Sequence, residues 1–282
     1  MLTLHHQLPP DALRAVADLE RRAVAVDGGR LKVAWSDLRA RRGEEVNDLL
    51  WTEAGRVVGY ASLDVHGGPG VEVAGVVDPA ARRRGIGSAL LAAAVDVCRR
   101  RGAGEVLLIV PRGSSAGRHL AERRGGRLHH SEHAMLLQGP PPVSAEDPRT
   151  RLRPAVAADL ALLERLLREA FDVEPGGLAE GVAGGGTRVV EHEGEPVGTL
   201  RVDVDGGVGG VWGFAVTPAH QGRGIGRDVL GRVCRELLAG GSRGVRLEVE
   251  VDNDHALGLY TSLGFRQVLT EDYYDLPLEP SR

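Results

Sequence analysis

The chain has 282 residues, of which 42% are hydrophobic and 26% charged, with a formal net charge of −4. That length fits two domains of ordinary size, and the composition is that of a globular chain rather than a disordered one. A mildly acidic balance offers no bulk attraction to nucleic acid, for which a basic domain is expected. The 40 glycines have no period, which excludes a collagen-like rod and points to many short turns and backbone-lined loops. Cys98 and Cys234 both fall in apolar-periodic segments and read as buried thiols; with no CxxC pair or His/Cys cluster, no metal is expected. The opening Met1-Leu-Thr-Leu-His-His lacks the basic and apolar runs of a signal peptide. No uncharged apolar run nears the roughly 18 residues of a membrane span. A cytoplasmic protein without membrane or nucleic-acid partners is the expectation.

Along the chain, one offset recurs. Gly55, Gly59, Asp64, Gly67, Gly68 and Pro79 match Gly194, Gly198, Asp203, Gly206, Gly207 and Pro218, and Arg84-Gly85-Ile86-Gly87 matches Arg223-Gly224-Ile225-Gly226, always 139 residues apart. Leu108 and Gly125 match Leu247 and Gly264 in the same register. A gap-free register of this kind marks a duplicated domain. Between the copies, Gly139 to Pro148 is proline-rich and aperiodic, so the boundaries read as 1–138, a linker at 139–149, and 150–282.

Within the second copy, Thr150-Arg-Leu-Arg-Pro154 reads as an edge strand, and Asp159 as the N-cap of a helix whose Leu160, Leu163, Leu166 and Leu167 share a face. Strands are predicted at 188–191, 196–202 and 211–216, then a helix over 226–238. Val245 to Val251 alternates strictly, as a half-buried strand does. A short helix over 256–263 ends at Gly264, and Gln267-Val-Leu is the final strand candidate. The fold class is α/β (α+β), with each repeat a mixed sheet flanked by helices.

Pro218-Ala-His-Gln221-Gly222-Arg223-Gly224-Ile225-Gly226 joins a strand to a helix. Glycines at spacing two let backbone N–H groups converge, and the helix that follows adds its unpaired first N–H groups and positive dipole end. Arg223 and Arg227 flank this anion site with fixed charge, and Arg82-Arg83-Arg84-Gly85-Ile86-Gly87-Ser88 repeats the device. A P-loop is excluded because no Gly-Lys-Ser/Thr follows. A dinucleotide fingerprint is excluded because Val229 and Leu90 stand where its third glycine belongs.

The pattern Val-x-Pro-x-x-Gln/Arg-x-x-Gly-Ile-Gly resembles the acetyl-CoA loop of the GNAT superfamily of N-acetyltransferases, in two tandem copies that span nearly the whole chain. The resemblance implies two domains, each with a mixed, mostly antiparallel sheet. It implies that the amides around Arg223 to Arg227 hold the CoA pyrophosphate, with Gln221 and Gly222 in the same cofactor loop, and that Ala215 and Val216 hold the pantetheine arm and acetyl carbonyl. In the first copy it assigns Val77 and Arg82 to Ser88 to the same roles.

The second copy continues with Asn253, Ala256, Tyr260, Gly264 and Phe265, which resembles the family's second signature. Tyr260 then serves as general acid toward the departing CoA thiolate, unless it is only a packed aromatic. The first copy has Ser114, Gly117, Ala121 and Gly126 at Asn253, Ala256, Tyr260 and Phe265, so it reads as catalytically degenerate. Glu248, Glu250 and Asp252 share one face of their strand; Glu250 is the candidate base, with a solvated strand face as the plain alternative. His220 and His255 are weaker candidates. Trp212 and Phe214 alternate onto one face and could wall an acceptor pocket. The acceptor is expected to be a primary amine of a small molecule or peptide. In outline the chain is similar to mycothiol synthases, which acetylate a cysteinyl amine. Against that stand glycines before Trp212, Gly209 and Gly210 among them, where a carboxylate is expected. A non-catalytic acyl-CoA-binding regulatory protein is the alternative of another class.

Overall fold

The computed structural model describes residues 1–33, 35–65, 70–171 and 178–278. Gly67 and Gly68 of the repeat pairs lie outside the described residues. The first repeat forms β1 (Leu2–His5), α1 (Pro10–Asp27), α2 (Trp35–Ala40), β2 (Asp48–Glu53), β3 (Arg56–Asp64), β4 (Gly70–Val77), α3 (Ile86–Arg100), β5 (Glu105–Pro111), α4 (Ser115–Arg123) and β6 (Arg127–Leu137). The second forms β7 (Thr150–Pro154), α5 (Leu160–Phe171), α6 (Leu178–Ala183), β8 (Thr187–His192), β9 (Glu195–Asp205), β10 (Val208–Val216), α7 (Ile225–Ala239), β11 (Val245–Glu250), α8 (Asp254–Ser262) and β12 (Arg266–Asp275). From β2 and β8 onward the copies keep the sequence register: α3 and α7, and α4 and α8, begin and end at equivalent residues. No described helix is long and apolar enough to cross a membrane.

The chain divides into two compact units, Met1–Ser131 with residues 269–282, and Glu132–Val268. In unit 1 the strand order is β1-β2-β3-β4-β5-β12; in unit 2 it is β6-β11-β10-β9-β8-β7. Neighbours run antiparallel except at β4–β5 and β10–β11. Compact units and sequence repeats therefore partition the chain differently. Residues 132–137 of β6 pair with β11 in unit 2, and Glu271 to Asp275 of β12 pair with β5 in unit 1.

This corrects the short final strand expected at Gln267-Val-Leu. The strand runs to Asp275, and Thr270 to Tyr274 are all buried. Two acids inside that stretch hide the apolar signal, and each is met by a cation. Arg30 holds Glu271 at 2.7 Å, and Arg112 holds Asp272 at 2.7 Å, where the Ser131 hydroxyl also donates. Buried carboxylates persist only when matched in this way.

Each unit buries one face of its sheet under its long helix. In unit 2, Val229, Leu230, Val233, Cys234 and Leu237 of α7 pack on Val197, Leu200, Val211, Val245 and Leu247. In unit 1, Leu90, Leu91, Ala94, Val97 and Cys98 of α3 do the same, with Tyr274 and Leu276 from the exchanged segment in the same core. Both cysteines are free and buried. Burial pushes the Cys98 thiol up to about 11 and the Cys234 thiol up to about 12. Asp159 accepts from the Val156 N–H and is gripped by Arg153, so it caps the 3-10 turn that leads into α5.

Candidate active site

In unit 2 a 3-10 turn at Pro218–His220 follows β10, and the loop then enters α7. The Gln221 amide donates back to the Val216 carbonyl at 2.9 Å, which fixes the start of the loop. Gly222 and Gly224 adopt φ of +74° and +82°, a conformation that strains any residue with a Cβ. Gly224 is the N-cap of α7, and the first helical bond runs from the Asp228 N–H to its carbonyl. The N–H groups of Ile225, Gly226 and Arg227 precede that bond, so the helix itself leaves them unpaired at the positive end of its dipole. Gln221 to Gly224 and Arg227 are exposed, and no ion pair of Arg223 or Arg227 is present among the described residues. The loop is therefore an open ring of donors beside two uncompensated cations, suited to a pyrophosphate.

The strand before the loop is divided by a bulge. β10 pairs with β11 only at Gly209–Val245 and Gly210–Arg246, and β10 then continues to Val216 without that neighbour. The register with β9 shifts between Trp212 and Ala215, with Gly213 at φ +53°. One extra residue on a bulged strand re-aims the side chains beyond it. Past Gly210 the side of β10 that faced β11 has no strand partner, which leaves room for an extended arm to pair there. Ala215 and Val216 sit on this stretch, at the loop end.

The bulge overturns one expectation. Trp212 and Phe214 do not share a face. Phe214 packs over Gly226 on α7 and joins the apolar core, whereas Trp212 lies on the opposite face under the guanidinium of Arg246, 5.3 Å from its ring centroid. Strict alternation fails wherever a residue is inserted.

Tyr260 is buried on α8 near Phe265, with ring centroids 6.0 Å apart, and burial raises its phenol to about 12. Asn253 is the N-cap of the same helix; its Oδ1 accepts from the Ala256 N–H at 3.0 Å. It anchors the helix that carries Tyr260. Glu250 is exposed at the end of β11, opposite Glu132 of β6. His220 Nδ1 lies 3.0 Å from the Thr217 hydroxyl, and His255 is exposed.

Unit 1 keeps the scaffold and pairs its loop cations internally. Gly85 has φ +81° as N-cap of α3, and Arg82 Nε donates to the Val77 carbonyl at 3.2 Å as Gln221 does in its copy. Arg83 is forced to φ +62° where the other unit has Gly222. Arg82 is paired with Asp27 at 2.8 Å and Arg84 with Glu53 at 2.9 Å. The neighbouring Asp27 holds the Arg82 charge more firmly still. Ile86, Gly87 and Ser88 open α3 as expected. β3 and β4 pair without a bulge from Gly59–Val77 to Asp64–Glu72. Ser114 still caps α4, its Oγ accepting from the Gly117 N–H at 3.1 Å, while Ala121 is fully buried at the position of Tyr260.

Sequence reasoning missed one further cluster in unit 2. Asp203 on β9 lies opposite Gly210, and Arg246 on β11 lies beside it. Asp203 Oδ1, Trp212 Nε1 and Arg246 Nε are buried and have no hydrogen-bond partner. The usable signal was Asp203, matched to Asp64 in the repeat register and set across from Gly210.

The comparisons agree with this geometry. The model of the "Acetyltransferase (GNAT) family" matches residues 16–125 and 160–265. A mycothiol acetyltransferase from Kineococcus radiotolerans is 31% identical over 95% of this chain and 94% of its own. One from Clavibacter michiganensis is 30% identical over 94% of this chain and 92% of its own. Among solved structures, a GCN5-related N-acetyltransferase from Sphaerobacter thermophilus matches the whole chain and 97% of its own with a TM-score of 0.80 at 20% identity. A tandem GNAT protein from the clavulanic acid biosynthesis pathway matches the whole chain and 99% of its own with a TM-score of 0.73 at 19% identity. With its loop, diverging strands and bulge all present, and with the family model matched twice, the chain belongs to the GNAT family of acetyltransferases.

Proposed function

We propose that unit 2 transfers the acetyl group of acetyl-CoA to a primary amine, and that unit 1 carries no turnover. The observation that carries this reading is the coincidence, in unit 2 alone, of a bulged strand diverging from its neighbour, an open anion loop at its end, and a buried tyrosine on α8. Acetyl-CoA supplies a thioester whose carbonyl carbon the amine attacks, with sulfur leaving as the C–S bond breaks. The amides of Gln221 to Arg227 hold the pyrophosphate, and the stretch of β10 at Ala215 and Val216, which has no β11 partner, orients the arm.

Tyr260 keeps its proton throughout neutral pH because burial lifts the phenol to about 12. The conjugate thiol of the leaving group has a pKa of about 8.5, so complete transfer from Tyr260 to the sulfur runs uphill. Its contribution is then a hydrogen bond donated by Oη that strengthens as charge develops on sulfur. Water takes the proton that the attacking nitrogen loses, and solvent delivers the final proton to the CoA sulfur.

For the acceptor we favour a cysteinyl amine of the mycothiol type, supported by similarity to mycothiol acetyltransferases along nearly the full length of both chains. The test is CoA release with a cysteinyl-amine acceptor and a panel of other amines. Tyr260→Phe is expected to lower kcat about 10²- to 10³-fold and leave acetyl-CoA affinity unchanged. Release with no amine in the panel would favour the non-catalytic acyl-CoA-binding alternative. Unchanged kcat would reduce Tyr260 to packing.

A further inference from the structure

The first turn of α7 carries an acid beneath the anion loop. Asp228 is the fourth residue after the N-cap Gly224, and its N–H donates to the Gly224 carbonyl at 3.0 Å. Four residues of helix rise about 6 Å, and helical side chains lean back toward the N-terminus. A buried carboxylate therefore lies one turn below a loop whose donors suit an anion. An acid near a helix start is favourable in itself, but it competes with a bound anion for the same positive end of the dipole. The fold does not require it. In unit 1 the equivalent residue is Ala89, which makes the same backbone bond to Gly85 at 3.0 Å.

Arg232, one turn further on, meets that carboxylate with a two-pronged grip: Nε donates to Asp228 Oδ1 at 2.9 Å and Nη2 to Oδ2 at 2.7 Å. The same guanidinium reaches the main chain that leads into β7. Nη1 donates to the Thr150 carbonyl at 3.1 Å and Nη2 to the Asp147 carbonyl at 2.8 Å. Glu146 stands beside it, 3.4 Å from Nε, and also holds Arg235 at 3.2 Å. The side chains of Asp228 and Arg232 are 9% and 19% exposed, so solvent screens their charges poorly. Arg232 too has no counterpart in unit 1, where Ala93 stands at its place. Acid and cation are thus present together in the unit with the open loop. Both are missing from the unit whose loop cations are paired internally.

We propose that Arg232 is a positioning residue for the cofactor. It cancels the charge of Asp228 beneath the anion loop and holds that carboxylate toward the body of the helix. With its remaining N–H groups it fastens the opening turns of α7 to the chain entering β7. The pair lets the helix be clamped at its start without leaving a net negative charge where phosphates bind. The proposal rests on the reading that this loop takes the pyrophosphate of acetyl-CoA. Without Arg232 the carboxylate stands unpaired about one helical turn from two phosphates, and a like charge at that range in a partly buried setting weakens the complex about tenfold.

The test is calorimetric binding of CoA to the whole protein, read as the binding that Gly224→Asp abolishes. Arg232→Gln is expected to weaken it about tenfold. Asp228→Asn, close to isosteric, should bind within about threefold of wild type, and adding it to Arg232→Gln should bring affinity back to within about threefold. A merely structural role gives no such recovery, since the double variant makes still fewer of the clamp's bonds. The Arg232→Gln deficit should also shrink between about 0.01 and 1 M salt, as the screening length falls from about 30 to 3 Å. Should melting curves show Arg232→Gln unfolded, Arg232→Lys takes its place; it keeps one charge and gives up the fork, and a weakening of about threefold, again reversed by Asp228→Asn, is expected. The proposal is overturned if the Arg232 variant binds CoA within about twofold of wild type, or if Asp228→Asn does not restore its affinity. Wild-type protein that binds no CoA, or a Gly224→Asp protein that binds it equally well, would overturn the acetyl-CoA reading of the loop and the proposal with it.

Discussion

Two copies of one fold have kept the same skeleton and parted over their polar groups. Both place an N-cap glycine at φ near +80° at the loop, both brace that loop with a side chain on the last strand carbonyl, and both cap the helix that follows the diverging strands. The differences lie in what the polar atoms meet. In unit 1, Asp27 and Glu53 hold Arg82 and Arg84, and Arg41 and Ser62 hold Asp64. In unit 2 the corresponding groups face outward or stand unpaired. A binding site is built from polar groups that the protein leaves unsatisfied; a copy that satisfies them internally becomes scaffold. The bulge in β10, absent from β4, adds a backbone difference of the same sense.

The largest test of this division is a carboxylate in each loop. Gly224→Asp should abolish transfer, because it places negative charge and a strained φ at the pyrophosphate site, whereas Gly85→Asp should leave the rate within about twofold. Both positions are sterically open, so melting curves should show the two variants similarly folded. A folded but inactive Gly85→Asp protein would reverse the assignment.

Next in size is the exchanged strand. Glu271 is 1% exposed beneath Arg30 and Lys32, and Glu271→Ala leaves these two partly buried cations without their carboxylate. A loss of about 3 kcal/mol in urea unfolding is expected, with the transition of unit 1 most affected.

The helix caps give a finer comparison. Ser114→Ala and Asn253→Ala should each cost about 1 kcal/mol of stability. Only Asn253→Ala should also lower kcat, since α8 carries Tyr260. Equal kinetic effects would remove the distinction between the units.

The smallest expected effect is none at all. Cys98 and Cys234, raised by burial to about 11 and about 12, should resist alkylation at pH 8 in the folded protein. The folded state favours the neutral thiols, so their contribution is intact below the unfolded thiol pKa of about 8.5 and is lost as pH rises toward 12. Tyr260 adds the same trend between about 10 and 12.

Much of this was legible in the residues. The 139-residue register placed α3 with α7 and α4 with α8, and the glycines located the loop because φ near +80° admits little else. The bulge was not legible, since alternation through Trp212 and Phe214 reads as an unbroken strand until the register with Arg201 and Thr199 is known. Nor was the full length of β12, where Glu271 and Asp272 look like solvated residues and their partners Arg30 and Arg112 lie far away in sequence. Asp203 escaped for a related reason. Its meaning depends on what fails to reach it, and a sequence does not record the absence of a neighbour.

The strand exchange also sets an order of events during synthesis. Leu107 on β5 pairs with Glu72 of β4 on one side but finds its partner on the other only at Asp275, so unit 1 cannot close its sheet until nearly all of unit 2 has been made. Contacts of such sequence separation form slowly, because loop-closure entropy must be met before they contribute. Until then the edge of β5, with Val106 to Val110 all buried in the finished protein, is an open template for other strands. A nascent or truncated chain is therefore most exposed to aggregation at unit 1, the copy with alanine in place of Tyr260, and rapid completion of the second half protects the first.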